Sequence, residues 1–256
     1  RFDLVSGSAG ALLAVLKLHD ATGDLTFLNQ ARALGDKLLD ASPSVGGLWT
    51  SAVFEHQRLT GLSHGASGFA LAFARLAQVT NDARYHAVVA ECLAFERGNF
   101  QPDACNWKDT RPPSMRLGSR SPNQWCYGAS GIGYARLALL DVAECSLIPG
   151  IEADLRQAVC SVLAIDEHSN DTLCCGLAGH ADFLFAAGER LGDRTAVRRG
   201  RSIIAQIEDR WRKSGDVRWD QGDKDFNLGL MRGLAGVGYA ALQAENRLLP
   251  RILILD

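Results

Sequence analysis

Hydrophobic residues along this chain fall into two alternating patterns. In the first, a run of helix length carries few polar side chains, as in Ala11-Leu12-Leu13-Ala14-Val15-Leu16, Phe69-Ala70-Leu71-Ala72-Phe73-Ala74, Ile132 to Leu140 and Phe183-Leu184-Phe185-Ala186-Ala187. In the second, apolar residues recur every third or fourth position. Phe27, Ala31, Leu34 and Leu38 do so after Asp24; Tyr85, Val89 and Cys92 after Asn81-Asp82; Ile151, Leu155, Ala158 and Val162 after Pro149; and Val197, Gly200, Ile204, Ile207 and Trp211 before Ser214-Gly215. The first pattern predicts helices buried all round, the second amphipathic helices with one wet face. Strand signals are weak.

The same punctuation precedes each buried run. Gly-x-x-Gly occurs as Gly7-Ser8-Ala9-Gly10, Gly65-Ala66-Ser67-Gly68, Gly128-Ala129-Ser130-Gly131, Gly176-Leu177-Ala178-Gly179 and Gly233-Leu234-Ala235-Gly236, spaced by 58, 63, 48 and 57 residues. This is an internal repeat. Alternating inner and outer helices on that period predict an all-α fold, an α/α toroid in which the inner helices run parallel. Their N-termini then open on one end, and the residues before each glycine pair converge there: Asp3 to Ser6, Ser63-His64, Cys126-Tyr127, Cys174-Cys175 and Met231-Arg232. A carboxylate, an imidazole, three thiols, a phenol and a guanidinium on one rim exceed what packing requires.

Composition narrows the function classes. With 256 residues, 47% hydrophobic and 22% charged, the chain can bury one large core, and 1–256 reads as a single domain. A formal net charge of -2 gives no bulk attraction to nucleic acid or anionic lipid. There is no run of about 18 apolar residues to span a membrane and no signal-peptide pattern, so a soluble cytoplasmic protein is expected. Seven cysteines, an odd number without the density of a disulfide scaffold, fit reduced thiols and metal binding.

Neighbouring side chains diverge in regular structure, so Cys174 and Cys175 can meet on one metal only where the backbone turns. The glycines after them supply that turn, at a helix N-terminus where unpaired N–H groups favour thiolate. A catalytic zinc site takes three protein ligands, and Cys126, in the same context one repeat earlier, is the third. The alternative is that these thiols are small core hydrophobes; the shared glycine context favours the metal. Cys92, Cys145 and Cys160 are expected in the core, and Cys105 has no assigned role. His64 gains weight from its repeat position, whereas His19, His56, His86, His168 and His180 have no such support. Asp3 could serve as a helix cap. The long loop from Gly98 to Asn123, with Pro102, Pro112, Pro113, Pro122, Trp107, Arg111, Arg116 and Arg120, is a cover for the site, a peptide-binding segment or a solvated connector.

Trp125-Cys126-Tyr127-Gly128, Cys174-Cys175-Gly176, the stretch Gly61 to Gly68 and the stretch Gly229 to Tyr239 together resemble the lanthionine synthetase C-like cyclase family. The pattern is most similar to the C-terminal cyclase domain of bifunctional class II lanthionine synthetases (LanM), and the ending Leu249 to Asp256 resembles theirs. The resemblance implies a zinc enzyme that adds cysteine thiolates of a dehydrated, leader-bearing precursor peptide to dehydroalanine or dehydrobutyrine, forming thioether rings. It places zinc ligands on Cys126, Cys174 and Cys175, acid/base chemistry on His64 and a supporting carboxylate on Asp3. Tyr127 stands where many class II relatives have histidine, and Cys175 where many relatives have it. The family ring has seven helix pairs, against five glycine hubs here, so the chain is expected to lack the first helices and an upstream dehydratase domain. A non-catalytic zinc- or thiol-binding relative, holding glutathione or a peptide, is the competing reading. A toroidal glycoside-processing enzyme would need two facing carboxylates, and the rim offers only Asp3.

Overall fold

The computed structural model describes residues 1–42, 49–51, 54, 57–112, 122–165, 170–219 and 227–254. His56, His168, Pro113, Arg116, Arg120 and the last two residues lie outside this set. The helices are α1 (Ser8–Thr22), α2 (Leu25–Asp40), α3 (Ala66–Thr80), α4 (Ala83–Gly98), α5 (Ala129–Leu140), the short α6 (Ala143–Ser146), α7 (Ile151–Leu163), α8 (Leu177–Leu191), α9 (Arg194–Ser214) and α10 (Leu234–Glu245). Two antiparallel strand pairs, Thr50–Ser51 with Gln57–Arg58 and Phe100–Gln101 with Asn106–Trp107, lie in the connections.

Inner helices α1, α3, α5, α8 and α10 pack neighbour to neighbour in chain order, and α2, α4, α7 and α9 cover α1, α3, α5 and α8 from outside. This is the α/α toroid arrangement. The amphipathic pattern maps onto the outer helices: Asp24, Asp82 and Asp193 cap α2, α4 and α9 through side-chain oxygens, and Tyr85, Val89, Cys92, Ile151, Leu155, Ala158 and Val162 are buried. Two expectations fail on the outer layer. Cys160 is exposed on α7, and Trp211 is 46% exposed, because both stand beside the buried stripe of their helices.

The inner helices differ by position. On α3, α5 and α8 nearly every residue in the first three turns is buried, whereas α1 buries only Ala9, Leu12, Leu13 and Leu16, and α10 only Gly236, Val237, Ala240 and Gln243. The terminal inner helices have an inner neighbour on one side among the described residues. The 3-10 turn Ile252–Ile254 returns to the inner layer, where the Trp125 indole N–H donates to the Leu253 carbonyl at 2.9 Å.

The glycine repeat has a specific structural cause. The first glycine of each motif caps its inner helix, and none of these caps has a side-chain hydrogen bond. Instead the first helical N–H donates to the carbonyl seven residues upstream: Ser8 to Arg1 (3.3 Å), Ala66 to Leu59 (2.8 Å), Ala129 to Pro122 (3.2 Å), Leu177 to Asn170 (2.8 Å) and Leu234 to Asn227 (2.8 Å). The incoming chain therefore folds back over the first turn and satisfies donors that a helix otherwise leaves open. At the second glycine it passes so close that a Cβ on Gly131 or Gly179 would overlap the carbonyl oxygen of Trp125 or Leu173. Only glycine accommodates that crossing.

A belt of backbone hydrogen bonds then links the folded-back turns. Val5 N–H donates to Ser63 O (3.2 Å), Ser63 N–H to Cys126 O (3.1 Å), Trp125 N–H to Cys174 O (3.0 Å) and Cys174 N–H to Met231 O (2.8 Å). The expected convergence is thus a continuous hydrogen-bonded rim.

Candidate functional site

The rim gathers the cysteines of two repeats. The sulfur of Cys175 lies 3.7 Å from that of Cys126 and 3.3 Å from that of Cys174, and all three fall within 4.8 Å of one another. Tetrahedral zinc–sulfur bonds of about 2.3 Å separate sulfurs by about 3.8 Å. The set therefore fits a zinc ion with one position left over. Without metal, the neighbouring Cys174 and Cys175 thiols and burial push the Cys126 thiol well above its ordinary value, as expected when one buried negative charge must form beside others. The helix N-termini give less help than the sequence suggests. In α5 the N–H groups of Ala129, Ser130 and Gly131 bond Pro122, Asn123 and Gln124, and in α8 those of Leu177 and Gly179 bond Asn170 and Thr172. A cation is the species that would favour three thiolates here.

His64 and Asp3 meet from adjacent repeats. His64 Nδ1 stands 3.1 Å from Asp3 Oδ2, a polar contact that joins the two repeats. Asp3 does not cap α1. Its Oδ1 accepts the Ser6 N–H at 2.7 Å, and although burial raises its pKa, the His64 ring and the Ser6 N–H outweigh that and hold the carboxyl below its usual value. His64 also lies over Tyr127, ring centroids 5.9 Å apart, with Phe54 against both rings. Burial raises the Tyr127 phenol far above its ordinary value, against the opposing charge of Arg111. Tyr127 is neutral at neutral pH.

Arg111 was not singled out as a site residue by the sequence. Its Cζ lies 3.7 Å from the centroid of the Tyr127 ring, and Asp109 holds it through Nη2 at 2.6 Å and Nε at 3.0 Å. The signal available was its place in a long loop rich in proline. The described part of that loop is not a solvated connector: Trp107, Asp109 and Arg111 are buried. Arg232, by contrast, is exposed. His180 is a core residue, its Nε2 3.0 Å from the Asn123 carbonyl, and burial lowers it to about 4. His19 is half-buried beside the Asp24 carbonyl, His86 faces Cys145, and Cys105 bonds Gln157 on α7.

Beneath the His64 turn lies an ion network. Glu96 on α4 accepts the Gly61 N–H (3.0 Å), the Ser67 N–H (3.2 Å) and the Ser67 hydroxyl, and pairs at 2.8 Å with Arg136 on α5, both side chains fully buried. Arg136 also meets Asp154 on α7 at 3.1 Å. Sequence reading missed this network because Arg136 sits inside an apolar run.

Comparison with known proteins bears on the family and the fold. The family model "Lanthionine synthetase C-like protein" matches residues 1–254. The lacticin 481/lactococcin biosynthesis protein LcnDR2 of Lactococcus lactis subsp. lactis is 24% identical in an alignment 251 positions long that covers 94% of this chain and 25% of that protein. The chain thus spans about a quarter of the length of that curated relative. Among solved structures, nisin cyclase aligns over 100% of this chain and 67% of its own with a TM-score of 0.74 and 15% identity. A sugar epimerase from a ruminal bacterium aligns over 95% of this chain and 71% of its own, with a TM-score of 0.65 and 14% identity. At these identities the solved structures speak to the fold, an α/α toroid, and the family match reaches further: the chain belongs to the lanthionine synthetase C-like protein family.

Proposed function

We propose that this chain is a zinc-dependent peptide cyclase that adds cysteine thiolates of a dehydrated precursor peptide to dehydroalanine or dehydrobutyrine, closing lanthionine and methyllanthionine rings. The observation that carries the reading is the three-sulfur cluster on the same rim as the Asp3–His64 pair. Cys126, Cys174 and Cys175 would hold the metal, which when bound lowers the pKa of a thiol brought to its open position. His64 supplies and removes the proton at the α-carbon, an imidazole being suited to both near neutral pH. Asp3 fixes the orientation of the ring through its contact with Nδ1. Tyr127, neutral and in ring contact with both His64 and Arg111, shapes the wall of the pocket and can donate a hydrogen bond.

The proposal extends to context. Residues 1–256 act as the cyclase domain of a class II (LanM-type) synthetase, working on a leader-bearing peptide that a dehydratase unit of the same longer polypeptide has dehydrated. Such a thiol-rich site belongs in the reducing cytoplasm. No described helix is long and apolar enough to cross a membrane.

The direct test pairs chemistry with metal content. Full-length protein incubated with a dehydrated peptide should consume free thiol, read by alkylation and mass spectrometry, and carry about one zinc per chain. Replacing Cys174 and Cys175 together by Ala should remove both zinc and thiol consumption. Zinc that persists in the double variant would refute the ligand set, and a zinc-loaded wild type that leaves thiols untouched would refute the activity.

A further inference from the structure

The rim is rich in groups that carry negative charge: three cysteine sulfurs and Asp3, with Asp109 behind Arg111. Resting on the cyclase reading, the reaction adds to that burden. The thiolate sulfur forms a bond to the β-carbon, the electron pair of the Cα–Cβ double bond moves toward the carbonyl, and the amide oxygen becomes an enolate oxyanion until a proton reaches the α-carbon. No atom is oxidised or reduced, and the thiol proton is in effect returned to carbon. With zinc bound, its two positive charges do not balance three thiolates and two carboxylates, so a further fixed cation near the reacting carbonyl would matter most at the transition state.

Arg111 is placed for that role. It is 9% exposed, and Asp109, which binds its Nε and Nη2, is 3% exposed. The pair is two-pronged and sets the plane of the guanidinium. Its segment is bolted to the base of the His64 turn: Thr60 donates its N–H to Thr110 Oγ1 (3.0 Å) and its hydroxyl to the Lys108 carbonyl (2.8 Å). Thr60 directly precedes Gly61, whose N–H is held by Glu96. Arg111 and His64 are therefore held by one hydrogen-bonded frame, and both rest against Tyr127, the residue after Cys126. A guanidinium cannot lose its proton in this environment, so its charge is present throughout the cycle. A solvated connector would not bury an arginine and its carboxylate here.

We infer that Arg111, oriented by Asp109, is the oxyanion-stabilising residue of the cyclase, placing a permanent positive charge where the enolate oxygen forms.

Zinc-loaded full-length wild type, R111Q and R111A are compared on a peptide with one cysteine and one dehydroalanine. R111Q keeps stem and polarity while removing charge. Both variants should retain zinc and peptide KM within about threefold, while kcat falls about a hundredfold, the usual loss of one oxyanion donor. Methylguanidinium should restore part of the R111A rate in a saturable manner and leave R111Q unaffected. D109N, which loosens the clamp but keeps the cation, should lose about tenfold. Unchanged kcat in R111Q at full zinc occupancy overturns the inference; so does a rise in KM alone, which would make Arg111 a peptide-docking residue, or loss of zinc in both variants, which would make it a structural one. A wild type that does not cyclise removes the cyclase reading and this inference together, whereas a cyclising wild type matched by R111Q removes this inference alone.

Discussion

One residue before each capping glycine stand Ser6, His64, Tyr127, Cys175 and Arg232, and two before it stand Val5, Ser63, Cys126, Cys174 and Met231. The second set carries the backbone belt, apart from the Trp125 N–H. Function and framework are thus interleaved residue by residue: Ser63 lends its N–H and hydroxyl to the Cys126 carbonyl while His64, next in the chain, meets Asp3. If the proton passes through His64, replacing it by Asn keeps polarity and approximate size and removes acid/base capacity. His64→Asn should retain zinc, because His64 lies outside the three-sulfur cluster, and slow thioether formation by roughly a hundredfold or more. Measured across a pH series on dehydrated peptide, a wild-type rate would transfer the proton step to Tyr127, Asp3 or water.

At the scale of elements, the buried Glu96–Arg136 pair decides how α3, α4 and α5 meet under the His64 turn. Breaking one member of a fully buried pair costs about 3–5 kcal/mol, since the survivor is left as an uncompensated charge. Arg136→Met should therefore lower the denaturant midpoint strongly, and adding Glu96→Gln should recover part of the loss by removing the stranded carboxylate. A double variant no more stable than the single one would show that packing, not charge, dominates at Arg136. The same elements show why some of the molecule was legible and some not. Helix existence, the inner and outer layers, the capping glycines and the gathering of Asp3, His64, Cys126, Cys174 and Cys175 follow from local periodicity repeated five times, because each repeat obeys the same backbone geometry. The Glu96–Arg136–Asp154 network and the Arg111–Asp109 clamp join residues from different repeats or from an irregular loop, and no local pattern encodes them. Cys160 and Trp211 were misplaced for a related reason: a residue on the margin of an amphipathic stripe fits its period without reaching the core.

Across the whole molecule, burial is greatest on α3, α5 and α8 and falls away at the two terminal inner helices. Ala11, Ala14 and Leu18 on α1 are exposed, and on α10 the face of Ala235, Gly238 and Leu242 is open, with Leu242 61% and Leu18 47% accessible. A Cβ on Gly238 would meet nothing. Both faces belong to helices whose other side packs on an inner neighbour, so each carries the composition of a buried helix without the cover. Contiguous apolar surface of this kind drives association. Residues 1–256 produced on their own should therefore be prone to self-association, with a sedimentation distribution that shifts with concentration and a broad thermal transition. Replacing Leu242 and Leu18 by Lys should narrow that distribution while leaving the three-cysteine cluster intact, because both lie far along their helices from the capping glycines that frame the rim. A monodisperse monomer with a sharp transition in the unmodified chain would show that the two edges are already sufficiently covered, and that the five hubs make a self-sufficient unit.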